Sequence, residues 1–372
     1  MRILITNIAL VTRSGTEVAV RELAPELSRA GLEAAVYTKW RGPTAKELEA
    51  DGVQVTDDLS TLAPPDVIHG HHHIQTVEAM LHFPRARGLF VCHDASIWHD
   101  RPPELPRLLR YVAVDKCVRD RLQRYPFVRE RGIEFIPNAV DTERYAPRTP
   151  LRNPPERALV FSNYLKEGDD LLLLRRECNR RGIALDTAGH GMSTGTSSPE
   201  SILPDYDIVF AKARCALEAA ACGRFVVLYH DGVLGVPLEG ATIRECLQWN
   251  LGRRLFTERL TAARLRERLA RYCPVSARQV CEQVLQTRSL KDAAGRWIEL
   301  YREIMTLPLP EPAGRELEDY MERMARTVAD LETPPSNGAK QSPPPGTIPG
   351  RSGWGERWRR WRGRRESEGT RA

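Results

Sequence analysis

The sequence predicts an α/β fold in which two doubly wound, mostly parallel sheets face each other, continued by a helical C-terminal extension. Three observations predict it. Short apolar runs alternate with helix-period segments through residues 1–136, the pattern of a parallel sheet covered on both faces. A stretch without periodicity, holding Pro147, Pro150, Pro154 and Pro155, then interrupts the chain at residues 146–156 and reads as a linker. A second strand–helix alternation runs from residue 158 to residue 229.

Residues 2–7 read as a short buried strand. Gly15 and Thr16 open a helix in which Val20, Leu23, Leu27 and Ala30 recur at helical spacing, and Gly31 ends it at the left-handed position that follows many helices. Residues 34–38, 53–56, 67–69, 89–92, 111–114 and 133–136 read as the remaining strands of the first half. In the second half, residues 158–162, 183–187, 208–210 and 225–229 are strands. Residues 169–181 form a helix closed by Gly182, and residues 213–221 a helix followed by Gly223. From residue 258 to 305 the pattern is largely helical. Leu317, Met321, Met324, Val328 and Leu331 then repeat as a heptad seam. At about two heptads it is too short for a solitary coiled coil, so packing on the body is expected. Residues 333–350 carry prolines and no apolar stripe, a composition that predicts disorder.

A chain of 372 residues is long enough for two cores. No apolar run approaches the ~20 residues of a spanning helix, and the N-terminus lacks a signal-peptide core. The eight cysteines are scattered, without zinc-ligand spacing, which predicts reduced thiols in a cytoplasmic setting. The net charge of +6 sits mostly in residues 351–372, where eight Arg face three Glu, so it describes a tail rather than the body. There Trp354, Trp358 and Trp361 interleave with arginines, which suits an anionic membrane surface. Nonspecific nucleic-acid binding and a plain disordered tail are the alternatives.

Two stretches carry the chemistry. Ile136-Pro137-Asn138-Ala139-Val140-Asp141 follows the first alternation, with Tyr145 and Pro147 beyond it. Ala211-Lys212-Ala213-Arg214-Cys215-Ala216-Leu217-Glu218-Ala219-Ala220-Ala221-Cys222-Gly223 opens a helix after a strand. Together with Ser14-Gly15-Thr16-Glu17 and Val91-Cys92-His93-Asp94, in this order, the chain resembles the retaining nucleotide-sugar glycosyltransferases with two facing Rossmann-like domains (the GT-B type, family 4, also called group 1). The resemblance covers residues 1–305. It implies an acceptor-binding domain at 1–145, a linker at 146–156, a nucleotide-sugar domain at 157–290 and a helix at 291–306 crossing back to the first domain. An extension helix at 314–332 and a basic tail at 333–372 follow. It implies sugar transfer from a nucleoside-diphosphate sugar with retention, needing no metal or cofactor, in polysaccharide biosynthesis.

The residue roles follow from the same resemblance and from local chemistry. Gly15 and Thr16 lie where a strand–helix turn lets backbone approach a ligand and offers N–H groups to an anion; an ordinary turn is the plain alternative. Lys166, with Gly168, suits a diphosphate at a strand–helix junction, and Asn163 or Tyr164 stands where the family has an Arg. Gly189-His190-Gly191 matches a glycine turn near the nucleotide. Glu218 is expected to accept both ribose hydroxyls, with the N–H groups of Lys212, Ala213 and Arg214 cradling phosphate. The family's other Glu, eight positions earlier, is Phe210 here. His93 is expected to orient the transferred sugar, or else to cap a turn. Asp94 is a weaker candidate for the acceptor, as are His99 and Asp100. His69-Gly70-His71-His72-His73 is not expected to bind metal, because neighbouring side chains point apart. It reads as an acceptor-side edge through His71, or as a solvated loop. An epimerase of the same architecture and an inactive nucleotide-sugar-binding homologue are the rival readings.

Overall fold

The computed structural model describes residues 1–165, 167–189, 198–311 and 315–332. The first half runs β1 (Arg2–Leu10), α1 (Gly15–Arg29), β2 (Glu33–Arg41), α2 (Pro43–Ala50), β3 (Gln54–Thr56), β4 (Val67–His71), α3 (His73–His82), β5 (Arg87–Cys92), β6 (Leu108–Ala113), α4 (Lys116–Leu122), α5 (Pro126–Arg131) and β7 (Ile133–Phe135). Its strands form a seven-stranded sheet in the order β3-β2-β1-β4-β5-β6-β7, with every pairing parallel. The strand order reverses beside β1, so the crevice for a ligand lies past the carboxyl ends of β1 and β4. Thr6 Oγ1 donates to the His71 carbonyl there at 3.1 Å.

The second half runs β8 (Arg157–Phe161), α6 (Asp169–Asn179), β9 (Ala184–Ala188), α7 (Pro199–Ile202), β10 (Ile208–Ala211), α8 (Ala213–Ala221), β11 (Phe225–His230), β12 (Val233–Gly235), α9 (Ile243–Gln248), β13 (Phe256–Arg259), α10 (Ala262–Ala270) and α11 (Pro274–Thr287). The order of its six-stranded sheet is β13-β12-β11-β10-β8-β9. The β12 and β13 strands join antiparallel at one edge. Part of the stretch expected to be helical from residue 258 is therefore an edge strand.

Two helices finish the described chain, α12 (Leu290–Thr306) and α13 (Glu316–Glu332). In α12, Ala294, Trp297, Tyr301 and Ile304 recur at helical spacing and lie in the core of the first half. The chain crosses between the halves twice, side by side. The Val140 N–H donates to the Arg288 carbonyl at 2.8 Å, and the Leu290 N–H to the Val140 carbonyl at 2.9 Å. Asp207 fixes the linker by accepting from the N–H groups of Arg152, Glu156 and Arg157 at 2.9–3.0 Å. The α13 helix packs on the first half through Tyr320 and Met324. Leu317 and Met321 of the expected seam face solvent instead, because the docking face is set by Tyr320 bonding His73 Nε2 at 3.0 Å. Among the described residues, no helix is long and apolar enough to cross a membrane. All eight cysteines are free thiols.

The β4–α3 junction is tight. A Cβ on Gly70 would come 2.4 Å from Thr76 Cγ2 and Oγ1. Gly70→Ala is therefore expected to destabilise the protein by about 1–3 kcal/mol through overpacking. A companion Thr76→Gly change should recover part of that loss in a thermal melt.

Candidate functional site

The alternation of side chains along β4 puts His69 and His71 on one face, and β5 delivers His93 beside them. The rings stack in a row, His69 to His71 at 4.6 Å and His71 to His93 at 4.8 Å. His71 Nδ1 lies 2.6 Å from His93 Nε2, and His69 Nδ1 lies 2.6 Å from the Tyr301 hydroxyl. On the other face, the His72 ring meets His99 and His73 Nδ1 meets the Arg101 carbonyl at 2.8 Å. The run is thus buried throughout and is not a solvated loop. Partners from α12, α13 and the segment after β5 cover it. Burial holds these rings neutral, His93 down to about 4.

His72, His99 and Asp100 bring ligand-type atoms within 4.8 Å of one another. His72 Nδ1, however, accepts from the Ile8 N–H at 3.2 Å, so the proton of a neutral ring sits on Nε2. That leaves a hydrogen-bonding group, with Asp100 pushed up to about 7 by burial, rather than three lone pairs facing one ion.

The second half presents α8. Glu218 is 4% exposed, and its Oε1 accepts from Arg214 Nε at 3.1 Å. Arg214 Nη2 also pairs with Glu22 of α1, in the opposite half. Burial pushes the Glu218 carboxyl up to about 7. The carboxylate expected to take the ribose hydroxyls is therefore covered by a guanidinium. That guanidinium itself lines the opening between the halves, together with Glu22, His69, His71 and His93. The N–H of Ala213, expected to be free for phosphate, instead donates to the Leu251 carbonyl at 2.8 Å, because Ala213 starts the helix at φ 47°.

Lys212 occupies the N-cap position of α8. Its Nζ lies 2.9 Å from His230 Nε2 and 4.8 Å from the Tyr164 ring centre. Burial, then the nearby Arg253, pull its ammonium down to about 8. Arg253 reaches across to the first half, bonding Ser96 Oγ at 3.1 Å and standing 4.0 Å from Asp94. Asp94 itself is organised locally, its Oδ1 accepting from the Ser96 N–H, Ser96 Oγ and the Ile97 N–H.

Gly15 and Thr16 begin α1, and the loop before them is tied by Glu17, which accepts from the N–H groups of Val11, Thr12 and Arg13. Asn163 Nδ2 donates across the halves to the Arg13 carbonyl at 3.3 Å. Gly189 has φ 152°, and a Cβ there would lie 2.0 Å from the Ser162 carbonyl oxygen. Lys166 and His190 lie outside the described residues, as does the Trp/Arg tail. The structure thus makes one cluster of His71, His93 and Arg214 and a second of Lys212 and Asp94 joined through Arg253, while Asn163 meets the loop before α1. It adds Glu22, His230 and Arg253, which sequence reading missed, and draws in His69, which the sequence offered only as part of the histidine run. The one available signal was polarity at structured positions. Glu22 lies beside the apolar stripe of α1, and His230 is the last residue of the otherwise apolar strand β11.

The depressed Lys212 has a measurable consequence. An anion bound beside it favours the charged form, so its pKa rises on binding. The affinity for a nucleoside diphosphate that Lys212 contributes is then fully present below about pH 8. It falls as pH climbs past about 8, by up to roughly tenfold per unit. Calorimetry between pH 7.5 and 9.5 reads this, and Lys212→Met should abolish the slope.

No family model matches the sequence, and no curated protein matches it. Solved structures do. A glycosyltransferase from Rickettsia africae aligns at 15% identity and TM-score 0.59, over 82% of this chain and 99% of that one. HepE from Anabaena, solved with UDP and glucose, aligns at 14% identity and TM-score 0.56, over 81% and 99%. Sucrose-phosphate synthase from Thermosynechococcus elongatus aligns at 13% identity and TM-score 0.56, over 82% and 99%. The protein has the same GT-B type of fold, two Rossmann-like halves facing each other.

Proposed function

We propose that the protein is a glycosyltransferase that moves a sugar from a nucleoside-diphosphate sugar to an acceptor, with retention of anomeric configuration and without a metal. The observation that carries this reading is the start of α8. A half-buried lysine stands there that forms no ion pair among the described residues and feels the charges of Arg253 and, from the other half, Asp94. A cation so placed suits the negative charge that develops on a departing diphosphate. The fold supports the same reading, since a protein sharing it was solved with UDP and glucose.

In this account Lys212 and Lys166 stabilise the leaving group. Asn163, Gly189 and His190 border the nucleotide, as do Gly15 and Thr16 from the facing half. Glu218 is assigned to the ribose, which requires Arg214 Nε to release it while Nη2 stays on Glu22. His93, held by His71, orients the transferred sugar. His71 and Asp94 face the acceptor, whose chemistry (glycan, lipid or small molecule) is set outside these residues. Incubation with UDP-, GDP- and ADP-linked hexoses tests the reading. Slow release of nucleoside diphosphate with one anomer of free sugar is expected for one donor. Interconversion of the sugar without release would favour an epimerase, and binding without any turnover an inactive homologue.

A further inference from the structure

We infer that the pocket between α1, the ends of β4 and β5, and α12 is a subsite for a hydroxyl-bearing sugar ring, with Glu22 as its main hydrogen-bond acceptor. The inference rests on the transferase reading and gives that site a residue no motif identifies.

Glu22, His69, His71, His93, Arg214 and Trp297 line the pocket. Three of their polar atoms are buried and find no partner in the protein, namely Glu22 Oε1, His69 Nε2 and His71 Nε2. Each belongs to a side chain otherwise fixed. Glu22 Oε2 is held by Arg214, His69 Nδ1 by Tyr301, and His71 Nδ1 by His93. The three residues are 0–5% exposed. A buried polar atom left unpaired costs about 1–3 kcal/mol, so three around one pocket define what should fill it.

The filling group has to donate to a carboxylate and meet two imidazole nitrogens, each a donor or an acceptor according to its tautomer. A hydroxyl does both, since it is at once donor and acceptor. A phosphate carries net negative charge and is repelled by Glu22, and an ammonium is repelled by Arg214. Trp297 supplies an apolar wall, which suits the C–H face of a sugar. Ordered water could satisfy the same atoms, and the experiment below separates water from sugar.

Calorimetry on the full chain would compare UDP, GDP and ADP with UDP-glucose, GDP-mannose and ADP-glucose. A second arm titrates methyl glucoside and methyl mannoside in the presence of the tightest diphosphate, which tells a donor sugar from an acceptor sugar. The wild type is expected to gain affinity from the hexose in one arm. Glu22→Gln should remove about tenfold of that gain, the value of a charge-assisted hydrogen bond, while binding of the diphosphate alone changes little. Glu22→Asp, which keeps the charge but shortens the reach, should lose a similar share, and its melting curve checks the fold. A hexose increment equal in wild type and both variants overturns the inference, as does a wild type that binds diphosphate but gains nothing from any hexose. If no nucleotide binds the wild type, the transferase reading falls and takes this inference with it.

Discussion

Replacing Arg214 with Met is expected to destabilise the protein by about 3–5 kcal/mol, the usual cost of leaving buried charges without their partner. Arg214 is 9% exposed and stands between two carboxylates that are themselves nearly inaccessible, Glu22 at 5% and Glu218 at 4%. It bonds one from each half, so its loss strands both. Part of the penalty should be relieved at low pH, because Glu218 already titrates near 7 and becomes neutral as the pH drops. The sign follows from the raised value: the ionised form is the costly one, and protonation removes the cost. Combining Arg214→Met with Glu22→Gln and Glu218→Gln replaces a broken ion network with neutral groups and should recover more than half of the lost stability in a denaturant titration. If Arg214→Met alone melts like the wild type, the guanidinium does not join the halves as described.

The second large effect is on catalysis. Lys212→Met is expected to slow sugar transfer by about 10²–10³-fold, the range seen when one preorganised group at a developing negative charge is removed. Met has similar length and suits the half-buried space beside Tyr164 and His230, so the fold should survive. A lysine acting on the leaving diphosphate lowers kcat and kcat/KM together, whereas one that only binds the donor raises KM. Lys212→Arg should not restore the rate, because a planar fork does not fit the slot between an imidazole and a phenol ring that a point charge occupies. A Lys212→Met enzyme with wild-type kcat would remove Lys212 from the chemistry.

Much of this architecture can be read from the chain because its signals are local. The α8 helix is legible residue by residue: an apolar strand precedes it, Gly223 ends it, and the next apolar run begins at once. The parallel strands of both sheets are legible for the same reason, since strands buried on both faces are nearly continuous apolar runs. The edge strands β12 and β13 are not, being three and four residues long and paired antiparallel without such a run. The histidine run shows the limit most clearly. Its alternation is evident, but its burial comes from Tyr301 and Tyr320, more than 200 positions away. Arg214 misleads in a similar way. A cation in the first turn of a helix is unfavourable locally, which argues for an anionic ligand. The compensation is Glu22, 192 positions earlier, which only the folded chain brings into view. Glu17 likewise matches a motif in the sequence, yet its carboxylate is spent on three backbone N–H groups of its own loop.

The central claim is that the start of α8, with Lys212, receives the diphosphate of a nucleoside-diphosphate sugar between the two halves. Calorimetric titration of the purified protein with UDP, GDP and ADP at pH 7.5 tests it most directly. The account predicts one site per chain for at least one of these, weakened at least tenfold by Lys212→Met, about the value of a charged contact to phosphate. No heat of binding from any of the three, or binding that Lys212→Met leaves unchanged, would contradict it.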